Sequence, residues 1–150
     1  MTFKNTTLLF MLAAAGILPL TAQTTDSDSK AVERTLLNYV EGFYEGDTTK
    51  LIAAFLPEMN KFGYWKDDKS GAYSGSAMTY REALDFAIRV QEKKRFAKPD
   101  APKVVEVFEV QDQTASGKVT AYWGTDYILL GKYDGVWKIV HVLWQGPLKS

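Results

Sequence analysis

The stretch that decides the architecture is Lys118–Gly146, KVTAYWGTDYILLGKYDGVWKIVHVLWQG. Two β-rich runs flank Asp134-Gly135, a pair suited to a two-residue hairpin because a type I′ turn needs positive φ at both central positions. With those two as the turn, Tyr133 pairs with Val136, and counting outward sets Lys132 against Trp137 and Leu130 against Ile139. The same count sets Ile128 against His141 and Asp126 against Leu143. Side chains alternate between faces along a strand. One face is therefore expected to carry Tyr122, Asp126, Ile128, Leu130, Ile139, His141 and Leu143. The other should carry Trp123, Thr125, Tyr127, Leu129, Val140, Val142 and Trp144. Both faces are apolar, so both need cover, and only the first has a titratable pair in its middle.

Upstream of the hairpin, Val104–Val110 reads as a strand, and Asp112-Gln113 turns into a long run from Thr114 to Leu130. A run of that length needs a bend or bulge, expected at Gly117 or Gly124. Earlier still, Val32, Leu36, Val40, Phe43 and Tyr44 recur at helical spacing, with Ser29 as N-cap and Gly46 as C-cap. Asp47 opens a second helix carrying Leu51, Ile52 and Phe55, which Pro57 ends. Lys61–Trp65 is aromatic and reads as a strand, and a further short strand is expected near Ala72 to Tyr73. Thr79 and Glu82 form a capping box for a third helix running to about Arg95, with Ala83, Phe86 and Val90 inward. Lys93, Lys94 and Arg95 suit the negative end of that helix's dipole. Helices first and long antiparallel strands last imply an α+β fold, with helices covering one face of a curved antiparallel sheet.

The chain has 150 residues, one domain's worth. Met1–Ala22 reads as a secretory signal: Lys4 supplies the charge, Leu8 to Leu18 a short apolar core, and Ala22-Gln23 the cleavage site. Residues 23–29 are polar and read as a flexible lead-in, and 30–150 as the folded domain. The expected location is periplasmic or extracellular, with no membrane contact after cleavage. Eighteen basic residues balance eighteen acidic ones, and without a basic stripe nucleic acid is not an expected partner. The absence of cysteine excludes disulfides and thiolate chemistry, and a single histidine makes a metal site improbable. No cofactor is implied.

Three groups of residues stand out. Asp126 and His141 fall one diagonal step apart on the same expected face, about 7–8 Å at the backbone. An aspartate beside a histidine fixes its tautomer and raises its pKa, as a general base requires. A buried polar pair pinning the sheet to the first helix explains the two equally simply, and is preferred. Tyr39, Tyr44, Tyr64, Trp65 and Tyr122 could line a cavity with their polar tips inward, or simply fill the core. Trp123, Tyr127, Val142 and Trp144 would leave an apolar outer face, for which homodimerisation is the preferred cover.

The early block YVEGFYEGDTTKLIAAFLPE and the late block GTDYILLGKYDGVWKIVHVLW resemble the nuclear transport factor 2-like superfamily, most closely its lumazine-binding-like branch in secreted bacterial proteins. The resemblance spans roughly Lys30 to Gly146. It implies a cone-shaped α+β half barrel whose helices close the concave side over a pocket, and whose outer sheet face often makes a homodimer. It implies no single chemistry, since the same cone hosts isomerases, polyketide cyclases, dehydratases and adaptors. Many relatives read Phe-His-Pro where this chain has Phe55-Leu56-Pro57. The isomerases' general-base aspartate falls near Gly63 or Tyr64 here, while Tyr39 falls where their oxyanion-binding tyrosine lies. A donor without its base argues against isomerase activity. The expectation is an exported small-molecule-binding protein with Tyr39, Tyr64, Trp65, Tyr122, Asp126 and His141 at its ligand. The alternatives are a cyclase- or dehydratase-type enzyme using Asp126 and His141, and an interaction module with a filled cavity.

Overall fold

A computed structural model describes residues 21–148, with side chains from Asp26 onward. The signal-peptide reading of Met1–Ala22 lies outside the described residues, except for the backbone of its last two. Helix α1 (Thr21–Glu45) is followed by α2 (Thr48–Ala54), β1 (Phe55–Lys66), β2 (Tyr73–Met78) and α3 (Tyr80–Glu92). Strands β3 (Lys103–Val110), β4 (Thr114–Ala121), β5 (Gly124–Tyr133) and β6 (Val136–Gln145) complete the fold. The strands form one curved, unclosed sheet in the order β2-β1-β6-β5-β4-β3, antiparallel throughout except where β1 runs parallel to β6. The three helices lie on its concave face, giving the expected α+β cone.

Local signals formed as their chemistry requires. Asp47 caps α2 by accepting from the backbone N–H groups of Thr49 and Lys50, and the Thr79–Glu82 capping box is complete. Gly46 ends α1 at φ 66°, and Asp134 and Gly135 turn the last hairpin at φ 49° and 80°. The buried stripe of α1 is Val32, Leu36, Tyr39, Val40, Phe43 and Tyr44. These residues pack on Val119, Ile128, Leu130, Trp137, Ile139 and Val142 from the sheet.

Helix α1 starts well before Lys30, so the stretch 23–29 read as a flexible lead-in is helical. Its anchor is polar. Asp28 accepts from Lys132 Nζ at 2.7 and 2.9 Å and from Trp137 Nε1 at 3.0 Å. The long run from Thr114 is two strands. Tyr122 and Trp123 form a two-residue turn between Ala121 and Gly124, which pair with each other. Helix α2 stops at Ala54, and Pro57 sits in an irregular part of β1 where its missing N–H costs no ladder bond.

The register of the last hairpin holds only near its turn. Tyr133–Val136, Lys132–Trp137 and Leu130–Ile139 pair as counted, but Leu129 then pairs with His141. Val140 is the extra residue of a β-bulge, which coincides with the irregularity in β1 between Phe55 and Asn60. A second bulge leaves Phe108 unpaired in β3. Bulges bend and twist a sheet, and these fall where the cone curves. A one-residue slip also sends every later side chain to the opposite face. Trp137 and Ile139 point inward before the bulge, Val142 and Trp144 after it, and His141 and Leu143 point outward.

Candidate functional site

The bulge separates Asp126 from His141. Asp126 lies fully buried on the inner face, whereas His141 sits on the outer face, paired with Leu129. The expected Asp126–His141 acid–base pair therefore does not exist. Of the residues assigned to the outer face, Tyr127 is there, but Val142 and Trp144 point inward and Trp123 folds its indole into the core. Tyr64 also lies outside, its ring edge-on to Phe62, and Trp65 is an exposed residue at the end of β1. Neither lines the concave cavity.

What Asp126 meets is a network absent from the sequence reading. Tyr39, on α1, donates its hydroxyl to Asp126 Oδ1 at 2.9 Å. Lys61, on β1, donates its ammonium to Asp126 Oδ1 at 3.1 Å and to the Tyr39 hydroxyl at 2.6 Å. Trp123 Nε1 donates to Asp126 Oδ2 at 2.7 Å. Both carboxylate oxygens are thus used, by donors from three separate parts of the chain. Lys61 is 6% exposed, and Tyr39 and Asp126 not at all. Burial pushes the Lys61 pKa below the usual lysine range, while the Asp126 charge pulls it back up. Burial and the same carboxylate hold the Tyr39 phenol well above its ordinary value, so it stays a neutral donor.

Three members of this network, Tyr39, Lys61 and Trp123, also line a cavity of about 180 Å³. Phe43, Met78, Phe86, Tyr122 and Trp144 complete its lining. The Lys61 nitrogen lies 5.2, 5.8 and 5.7 Å from the ring centres of Tyr39, Phe43 and Trp144, all within cation–π range. Gly63 allows this wall to form: a Cβ there would stand 1.8 Å from Trp144 Nε1. Tyr122, a half-exposed residue of the lining, stacks on Tyr44, its ring centre 5.2 Å away. Tyr44 holds that corner by donating to the Pro102 carbonyl and accepting from the Tyr122 N–H at 3.0 Å. A larger hollow of about 450 Å³ lies on the outer face against Phe62, Phe108, Tyr127, Leu129, His141 and Leu143. The inner cavity is the candidate site because buried polar groups converge on it within an aromatic wall.

The tyrosines at 39 and 122 thus stand at the cavity as expected, while Lys61 and Trp123 were missed. The available signal was the alternation in Lys61-Phe62-Gly63-Tyr64, which puts the lysine and glycine on one face and two aromatics on the other. Among the described residues, no cluster of His, Cys, Asp or Glu could hold a metal ion, and no helix is long and apolar enough to cross a membrane.

A helix-covered cone of curved sheet with a cavity on its concave side defines the nuclear transport factor 2-like class. The family described as "Putative lumazine-binding" matches residues 27–145, and the chain belongs to it. No curated protein matches the chain. Among solved structures, a nuclear transport factor 2-like protein of unknown function from Shewanella baltica OS155 is 21% identical. It superposes with a TM-score of 0.62 over 83% of this chain and 97% of its own. A second one, from Silicibacter pomeroyi DSS-3, is 16% identical with a TM-score of 0.57, over 85% and 98%. A protein described as "Putative Scytalone Dehydratase" from Novosphingobium aromaticivorans DSM 12444 is 14% identical with a TM-score of 0.57, over 85% and 89%. These identities establish a shared fold and nothing finer.

Proposed function

We propose that this protein binds a small, flat, mostly apolar molecule in the concave cavity. The observation that carries this reading is the aromatic-walled space of about 180 Å³ set against a buried lysine. A dry cavity of about 150 Å³ accommodates a benzene ring, so a single ring or one end of a larger molecule matches the space. The loss of the Asp126–His141 pair removes the basis on which the cyclase or dehydratase alternative stood.

Native mass spectrometry of protein purified from its own host would reveal a retained molecule. Since Trp123 and Trp144 line the space, a ligand should change tryptophan fluorescence, and Met78→Trp should abolish the effect by filling the cavity. A ligand that binds the Met78→Trp protein with unchanged affinity would place the site elsewhere.

Two further features belong to the proposal. Met1–Ala22 would direct export to the periplasm or beyond, which an N-terminal sequence beginning at Gln23 in the exported fraction would support. The outer sheet face would pair two copies, since Phe108, Tyr127, Leu129 and Leu143 are each more than half exposed there. Leu143→Glu should then sediment as a monomer, and an unchanged sedimentation coefficient would count against pairing through this face.

A further inference from the structure

We propose that Lys61 is a reactive amine that captures a small aldehyde or ketone in this cavity as a reversible imine. The proposal rests on the cavity reading and adds a chemical class of ligand to it. Three features of the site lead there. The amine is almost fully buried yet lines a cavity whose wall includes half-exposed Tyr122. A carboxylate at 3.1 Å and a phenol at 2.6 Å stand ready to move protons at the nitrogen. The walls around it are rings, which suit an apolar body attached to one carbonyl.

A buried ion pair is a poor device for stability alone, because desolvating two charges offsets most of their attraction. Here the lysine of the pair lines a cavity, where a reacting group could approach the nitrogen. Lysines placed in apolar pockets serve as Schiff-base formers because burial favours the neutral amine. Burial acts in that direction on Lys61.

The steps balance. Asp126 takes one proton from the ammonium, and the freed lone pair attacks the carbonyl carbon while the C=O π electrons move to oxygen. Proton transfer from nitrogen to that oxygen, with the Tyr39 hydroxyl bridging donor and acceptor, gives a neutral carbinolamine. Asp126 returns its proton to the hydroxyl, water leaves, and the C=N bond forms as an iminium. One carbonyl compound and one ammonium thus become one iminium and one water. The positive charge stays beside the Asp126 carboxylate, so the site's net charge is the same before and after.

The test uses the whole protein with benzaldehyde and sodium cyanoborohydride near neutral pH, followed by peptide mapping by mass spectrometry. Lys61 should acquire a benzyl group at least about tenfold faster than the exposed Lys69 and Lys93, because the cavity holds the carbonyl against the amine. Lys61→Arg, which keeps the charge opposite Asp126, should remove that fast phase alone. Labelling at Lys61 no faster than at the exposed lysines overturns the proposal, and the wild-type map decides this even if the variant does not fold. Toluene, which has the ring but no carbonyl, separates the two readings. Toluene binding seen by NMR without a Lys61 adduct overturns the imine but leaves the cavity as a ligand site, whereas neither signal overturns both.

Discussion

Replacing Asp126 by Asn should be among the most costly single changes in this protein. The side chain keeps its shape but loses the charge opposite Lys61, an ammonium only 6% exposed. It also turns an acceptor into a donor, so the hydrogen bond from Trp123 Nε1 is lost in one orientation and those from Tyr39 and Lys61 in the other. Breaking a buried pair by removing one partner costs about 3–5 kcal/mol. A ceiling comes from the lysine itself: discharging an amine of pKa about 10.4 near neutral pH costs about 4–5 kcal/mol. The two figures agree, and the loss is a large part of the roughly 5–15 kcal/mol that holds a domain folded.

The pH dependence gives the mechanism a signature. In the variant, folded Lys61 has lost its counter-charge, so its pKa falls further below the unfolded value. Between those two pKa values the unfolded chain binds more protons, and stability rises with pH by about 1.4 kcal/mol per unit. Stability lost near neutral pH should therefore return toward pH about 9, approaching the unfolded lysine pKa. Urea unfolding followed by tryptophan fluorescence at the two pH values measures this directly. A penalty below about 1 kcal/mol, or one unchanged by raising the pH, would refute the claim that Asp126 balances a buried lysine.

Other perturbations report on separate parts of the structure. Gly63→Ala drives a methyl group into the Trp144 indole, and should cost about 1–3 kcal/mol while changing the near-ultraviolet circular dichroism of the tryptophans. Tyr39→Phe removes the hydroxyl joining Lys61 to Asp126. It should cost about 1.5–3 kcal/mol in urea unfolding, the range for hydrogen bonds to charged groups. Burial alone would raise the Glu41 pKa, but hydrogen bonds from Lys50 and Lys103 with the nearby Arg34 charge lower it to about 2. A depressed carboxylate contributes stability that is lost as pH falls from about 4.5 toward that value. Glu41→Gln should consequently cost about 1–2 kcal/mol near neutral pH, with the gap to wild type closing in acid. A gap that persists undiminished in acid would mean the cations around Glu41 contribute little.

The features legible in the sequence all depend on neighbours a few residues away. The turn at Asp134-Gly135, the Asp47 cap, the Thr79–Glu82 box and the helical stripe of α1 each follow from local backbone geometry. Those signals, with the order of elements, were enough to indicate an α+β fold with helices on one face of a curved sheet; the cone came from the family resemblance. Helix α1 escaped at its start because residues 23–29 carry no apolar stripe, and the contact that fixes them is from Asp28 to Lys132 and Trp137. The break expected at Gly117 or Gly124 falls just before Gly124, at Tyr122-Trp123, and what escaped was its form, a turn between two strands set by the pairing of Ala121 with Gly124.

The β5–β6 hairpin marks the boundary most sharply. By itself the sequence determined that β5 and β6 turn at Asp134-Gly135 and pair correctly as far as Leu130 and Ile139. Only the tertiary structure decided what lies beyond. The bulge at Val140 belongs to a sheet that must curve while β6 also pairs with β1, and no residue near Val140 announces either demand. That one unpaired residue sends His141 to the outer face. Asp126 is left on the inner face with Lys61 from a strand 65 residues earlier in the chain. Distant partners are invisible to periodicity, because a lysine among aromatics reads the same whether or not a carboxylate waits across the core.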